Sequence, residues 1–317
     1  MRTVAVEQGP GLLVRWFLIT VPGLGPVLGV GGVGIMELEG KVAAITGAAN
    51  GLGRSLALAL ADAGCALSLS DIDEEGLAET ISLLKTDRKV TSSVVDVSDL
   101  AAVQSWADAT VEEHGAVQLL FNNAGITVAA TFEQHRTEDW DRVLGVNLWG
   151  VINGCRSFLP HLKAAGEGRI VNISSIFGVV AMPAQAAYST SKYAVRGLSE
   201  ALWEELKETG VGVTVVHPGG LATRIVENAR SPSPRFRKHL ADFFEAKAMS
   251  PDKAARQILR AVRRGDRRLM VTKEAVLFDR LKRLFPVRGN SWCADLIRKE
   301  MRLSEVEDEL LEADEGG

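Results

Sequence analysis

From Val42 onward the chain alternates two kinds of segment, and that alternation narrows the folds open to it. Short apolar or β-branched runs stand at 42–46, 66–71, 92–97, 117–122, 169–174, 212–217 and 268–271. Amphipathic stretches with helical periodicity lie between them, at about 51–63, 73–86, 99–113, 136–165, 186–209 and 251–264. A parallel neighbour is reached only through a crossover, so strands that alternate with helices predict a parallel sheet covered on both faces. Val42-Ala43-Ala44-Ile45 is apolar with no period of two, as a strand buried on both faces is. The expected fold class is α/β, one doubly wound domain with a sheet of about seven strands.

Of the 317 residues, 46% are hydrophobic, enough to bury a full core. The net charge of −4 offers no basic field for nucleic acid. Cys65, Cys155 and Cys293 are far apart, and the five histidines show no paired spacing, so no metal site is expected. Unpaired thiols fit a reducing, cytoplasmic setting. His217 lies in an apolar run and is expected to be packed rather than a ligand.

Residues 16–36 carry no charge, a length able to span a bilayer. Seven glycines and two prolines within residues 11–35 weaken any helix there. We expect residues 1–35 to be a flexible, glycine-rich extension, or to be absent from a protein that starts at Met36, rather than an anchor. The main folded body is expected over 36–275. A helical extension and acidic tail follow at 276–317.

The first strand runs into Thr46-Gly47-Ala48-Ala49-Asn50-Gly51-Leu52-Gly53, which opens the first helix. Glycines there permit a tight turn and close approach of backbone to a pyrophosphate at a helix N-terminus, the dinucleotide-binding arrangement of a Rossmann-type domain. Asp71 ends the second strand, where a carboxylate meets adenosine ribose hydroxyls. A 2′-phosphate would be repelled there, so NAD is expected over NADP. Asn50, not a cation, precedes Gly51; Arg54 follows the turn and is the one side chain able to offset this by contacting phosphate. Asp73 is expected to cap the next helix. Asp96 and Val97 close the third strand and are placed to bracket the adenine.

Tyr188 and Lys192 are four apart, on one face of a helix, in a chain with only two tyrosines. A nearby cation favours the phenolate and lowers a tyrosine pKa, allowing proton exchange with an alcohol or carbonyl. Asn147 is a poor helix former inside a long helical pattern, which also fits a kink or cap.

Taken in order, these motifs resemble those of the short-chain dehydrogenases/reductases over about residues 38–272. The set comprises the glycine turn, Asp96-Val97, Asn122-Asn123-Ala124-Gly125, Asn147, Ile173-Ser174-Ser175, Tyr188 with Lys192, and Pro218-Gly219 followed by Thr223. The resemblance implies pyrophosphate binding by the backbone of Gly47, Asn50, Gly51, Leu52 and Gly53. It implies that Asn123, within Asn123-Ala124-Gly125, braces the sheet beside the adenosine. Pro218, Gly219, Leu221 and Thr223 would hold the nicotinamide carboxamide. Tyr188 would be the acid/base, Lys192 would tune it and bind the nicotinamide ribose, and Ser175 would position the substrate oxygen. Asn147 would bind a water in the proton relay. The family also implies a homodimer or homotetramer through the two long helices, with Trp149, Leu202 and Trp203 as candidate contacts.

The expected activity is hydride transfer between NAD(H) and a small-molecule secondary alcohol or ketone. A lipophilic one is favoured by the apolar run Ile176, Phe177, Val179, Val180, Met182 and by Phe236, Phe243 and Phe244 among the bases of residues 224–250. The rival from another class is a catalytically silent NAD(H)-binding sensor, whose cheapest signature would be loss of one of Asn147, Ser175, Tyr188 or Lys192. Epimerisation of nucleotide sugars fits the glycine spacing less well. Apolar residues at helical spacing with bases between them, at 276–285, suit packing on the body, with peripheral membrane association as the second choice.

Overall fold

Val42–Thr46 (β1) is buried at every position because it pairs on both edges, with Ala66–Asp71 (β2) and Leu119–Asn122 (β4). The computed structural model describes residues 35–303. Val90–Val94 (β3) continues the sheet beyond β2, and Gly168–Ile173 (β5), Val211–His217 (β6) and Arg268–Met270 (β7) continue it beyond β4. All six pairings are parallel, in the order β3-β2-β1-β4-β5-β6-β7. The winding reverses between β1 and β4, so a crevice opens at the carboxyl ends of those two strands. The expected α/β Rossmann-type architecture is the one observed.

Gly51–Asp62 (α1) and Pro251–Arg264 (α8) cover one face of the sheet through Leu56, Leu60, Ile258 and Val262. Leu100–His114 (α3) and Gly150–Ala164 (α5) cover the other through Trp106, Phe158 and Leu162, with the Trp106 and Phe158 rings edge-on at 4.8 Å. Each such fully buried side chain contributes roughly 1.5–3 kcal/mol of transfer free energy.

Several boundaries differ from expectation. The strand expected at 92–97 is Val90–Val94, because the polar Val90-Thr91-Ser92-Ser93 run pairs with β2 while residues 95–97 turn into the crevice. The single helix expected at 136–165 is Thr137–Leu144 (α4), a π-helical turn Gly145–Trp149, and α5. Ala186–Glu205 (α6) ends short of 209. Pro234–Lys247 (α7) was not among the expected helices.

Lys273–Leu284 (α9) and Arg288–Glu300 (α10) form the helical extension. Ala275, Phe278 and Cys293 pack on Ile176, Val179 and Val180. Packing thus accounts for one face of α9 and leaves Leu277, Leu284 and the following Phe285 exposed. The expectations for residues 1–34 and for the acidic tail from 304 lie outside the described residues. Met36 is buried, and its N–H bonds Arg263 O at 2.9 Å. The three cysteines are buried and unpaired. No described helix is long and apolar enough to cross a membrane, and the described residues hold no metal-binding cluster.

Candidate active site

The glycine turn is held by sterics. Gly47 and Gly51 adopt left-handed backbone, φ +67° and +52°. A Cβ on Gly53 would lie 1.9 Å from Gly47 O, so α1 can pack this close to the end of β1 only with glycine there. The α1 N-cap, Asn50, makes no capping bond with its side chain, and the first turn carries no acid. Those N–H groups, at the positive end of the helix dipole, suit a pyrophosphate.

Asn123 clasps β1 to β4. Its Nδ2 donates to Thr46 O (2.9 Å) and Gly47 O (3.0 Å), while Thr46 Oγ1 accepts from Asn123 N and Ala124 N. Asp71 accepts from Ala49 N (2.9 Å) and Asp73 N (3.1 Å), which fixes its carboxylate at the crevice rim. Arg54 does not reach the crevice. Its guanidinium donates to Ala49 O and Thr80 Oγ1 and pairs with Glu79 at 2.6 Å. Asp73 caps Glu74–Leu83 (α2) through Gly76 N, as expected. Asp96 lines the crevice, but its side chain accepts from Ser98 N and Oγ in a local turn.

Tyr188 and Lys192 project from the first turns of α6. Lys192 is 3% exposed; its ammonium donates to Ile173 O at 3.0 Å and lies 5.5 Å from the Tyr188 ring centroid. Burial pushes its pKa down to about 8. Burial also raises the Tyr188 phenol, opposed by a side-chain hydrogen bond with Ser175. The Tyr188 pKa is thus raised rather than lowered, with desolvation outweighing the Ser175 hydrogen bond. The edge of Phe177 meets the Tyr188 ring, with centroids 6.2 Å apart.

Ser174 and Ser175 face different partners, as alternation requires. Ser174 Oγ donates to Lys192 O, and Ser175 Oγ accepts from Phe177 N at the start of a short 3₁₀ turn, Ile176–Gly178. Behind them His217, fully buried, holds Ser175 O with Nδ1 at 2.9 Å. It is packed, as expected, and burial pushes its pKa down to about 4.

Asn147 sits in the π turn, where the helical hydrogen-bond ladder is interrupted. Its Oδ1 accepts from Ile126 N; its Nδ2 donates to Ile126 O and Ser191 Oγ. A Cβ on Gly125 would lie 3.4 Å from both Asn147 Oδ1 and Lys192 Nζ, so the two polar groups flank the same glycine.

All the expected site residues line one cleft of about 1070 Å³ except Gly53 and Asn147, which stand just behind its wall. Leu221 lies beside Met249, and Gly220 O and Ala222 N bond Met249, closing the 220–249 segment on itself. Thr223 touches the position a Gly51 Cβ would take, and Gly219 packs on Thr272. Two parts of the site were missed. Arg230 pairs with the buried Asp139 on α4 and donates to Gln134 O, pinning the interior of this segment. Ile297, Met301 and Leu303 form the outer cleft wall with Phe236 and Leu240 of α7. Spacing near the motifs carries no sign of either, because the partners lie in separate elements far apart in sequence.

Fold, cradle and Tyr–Lys pair together define a nicotinamide-dependent oxidoreductase, and the chain belongs to the short-chain dehydrogenase/reductase family. Residues 41–234 match the family pattern described as short chain dehydrogenase. The SadH protein of Mycobacterium tuberculosis is 43% identical over 253 residues, covering 78% of this chain and 92% of that one. A short-chain dehydrogenase/reductase from Burkholderia phymatum, solved in complex with NAD, is similar with TM-score 0.75 and 31% identity, over 78% of this chain and 95% of that one. An alcohol dehydrogenase from Thermococcus sibiricus, solved with 5-hydroxy-NADP, is similar with TM-score 0.64 and 26% identity, over 73% and 96% of the two chains. Relatives thus bind either NAD or NADP.

Proposed function

We propose that this protein is an NAD-preferring dehydrogenase/reductase of a lipophilic secondary alcohol or ketone, with Tyr188 as its acid/base. The observation that carries this is the half-buried Tyr188 phenol between the Ser175 hydroxyl and the Lys192 ammonium at the cleft wall. The nicotinamide cofactor supplies or accepts the hydride when bound. The backbone of Gly47, Asn50, Gly51, Leu52 and Gly53 binds its pyrophosphate, and Asp71 its adenosine ribose. Asp96, Val97, Asn123, Ala124 and Gly125 wall the adenosine side. Pro218, Gly219, Leu221 and Thr223 hold the carboxamide.

Ser175 donates to the substrate oxygen and orients it toward Tyr188. In the reducing direction Tyr188 gives up its phenolic proton to that oxygen; its raised pKa keeps it protonated beforehand. Lys192 stabilises the phenolate left behind and holds the nicotinamide ribose. Asn147 keeps one acceptor lone pair beyond its bond from Ile126, suited to a water that returns the proton through Lys192.

The preference for NAD rests on the fixed Asp71 carboxylate and on Arg54, whose charge is taken by Glu79. The lipophilic substrate rests on the outer cleft, walled by Phe177, Met182, Phe236, Leu240, Ile297 and Met301. Assembly into a dimer or tetramer through α5 and α6, in the cytoplasm, completes the proposal; Trp149 is exposed in that region. The test is reduction of a panel of hydrophobic ketones with NADH and NADPH in parallel. Turnover with NADH that grows with substrate apolarity is expected. Tight NADH binding without turnover on any ketone would favour the silent sensor.

A further inference from the structure

The α9–α10 hairpin carries an outward face that nothing described covers. On α9, Leu277 (50% exposed) and Leu284 (61%) lie seven residues apart, on one helix face, with Arg280 between them. On α10, Arg288, Trp292 (43%), Leu296 (47%) and Lys299 follow one another at steps of three or four. Val287, 84% exposed, sits in the turn between the helices, and Phe285 stacks edge-on against Trp292 at 5.0 Å. Arg280, Arg288 and Lys299 form no ion pair among the described residues. Residues 273–300 hold seven cations against four carboxylates, and Asp279, one of the four, is already taken by Arg268 and Arg283.

We propose that this face docks on an anionic lipid bilayer. Apolar side chains with a tryptophan, flanked by free cations, are what an interfacial helix presents to headgroups and the upper acyl region. A second copy of the chain fits less well, since a two-fold contact would set one cation-flanked face against another of the same sign. The face also adjoins the cleft. Ile297 and Met301, on the inner side of the same stretch of chain, line the outer cleft, so the apolar end of the cavity would open at the bilayer. Docking stands on the surface alone; that it delivers a membrane-dissolved substrate rests on the proposed function.

The test is co-sedimentation of the full chain with vesicles of phosphatidylcholine, with and without about a third phosphatidylglycerol. Binding that requires phosphatidylglycerol is expected. At roughly a fivefold loss per cation, the triple variant Arg280→Gln/Arg288→Gln/Lys299→Gln should bind about 100-fold more weakly. Leu277→Ser/Leu284→Ser should weaken binding without lowering Tm or altering turnover of a water-soluble ketone. Absence of binding to the anionic vesicles, or full binding by the triple variant, overturns the proposal. So does a concentration-dependent dimer that Leu277→Ser/Leu284→Ser breaks. A vesicle result is independent of activity, so failure here and failure of the enzyme assignment are told apart.

Discussion

Lys192 stands 5.5 Å from the centre of the Tyr188 ring, yet its hydrogen bond goes to the Ile173 carbonyl at 3.0 Å. Burial acts on the two groups in opposite directions, raising the phenol and lowering the ammonium to about 8. The pair thus favours a protonated tyrosine near neutral pH, which is the form that donates a proton to a carbonyl. Oxidation of an alcohol needs the phenolate and should gain rate as pH rises.

The glycine turn has no room for a side chain at Gly53, where a Cβ would lie 1.9 Å from Gly47 O. Gly53→Ala should weaken NADH binding at least roughly tenfold and cost about 1–3 kcal/mol of stability. Gly197→Ala, in open space on exposed α6 surface, should instead stabilise by about 0.5–1 kcal/mol. Fluorescence titration and urea unfolding check both.

Asp71 is held by Ala49 N and Asp73 N in the orientation its proposed role needs. Asp71→Asn keeps the shape and removes the charge. The ratio of kcat/KM with NADP to that with NAD should rise at least roughly tenfold, the order expected for loss of one partly screened charge contact. An unchanged ratio would mean the preference lies elsewhere.

Much of this site was legible before the structure, and the reason is local. The glycine turn, Asp71 and the Tyr188–Lys192 spacing are short-range patterns whose chemistry depends on one strand end or one helix turn. The π turn at Asn147 was visible only as a poor helix former, because the bonds that stabilise it come from Ile126 and Ser191. The β3 boundary was misplaced because hydrophobicity peaks at Val94 and Val95, whereas pairing with β2 starts at Val90. The Tyr188 pKa is raised where the Lys192 spacing alone predicts a lowering, because desolvation depends on tertiary packing that spacing does not carry. The outer cleft wall depends on α10 meeting α7, a contact with no local signature.

His217 links the fold to pH. Burial lowers its pKa from 6.5 to about 4, so the folded protein binds its proton later than the unfolded chain. The stability this contributes is fully present above pH 6.5 and is lost as pH falls toward about 4, a change of about 3 kcal/mol. His217→Gln should be less stable at neutral pH but should lack this portion of the acid loss. Urea unfolding across that window measures the difference.

Arg230 fastens the outer segment by its pairing with Asp139, which is 4% exposed. Arg230→Ala leaves that carboxylate without its main partner. The expected cost is about 2 kcal/mol, discounted for the partly exposed guanidinium. KM for ketone should rise more than kcat falls, because the segment shapes the outer cleft and not the proton path. Steady-state kinetics on the variant separate the two effects.

The most direct test is Tyr188→Phe, which removes the phenolic oxygen and little else from the cleft wall. Ketone reduction should fall by about 10²–10⁴-fold while the Kd for NADH stays near that of the unaltered protein. Substantial turnover in the phenylalanine variant would contradict the account.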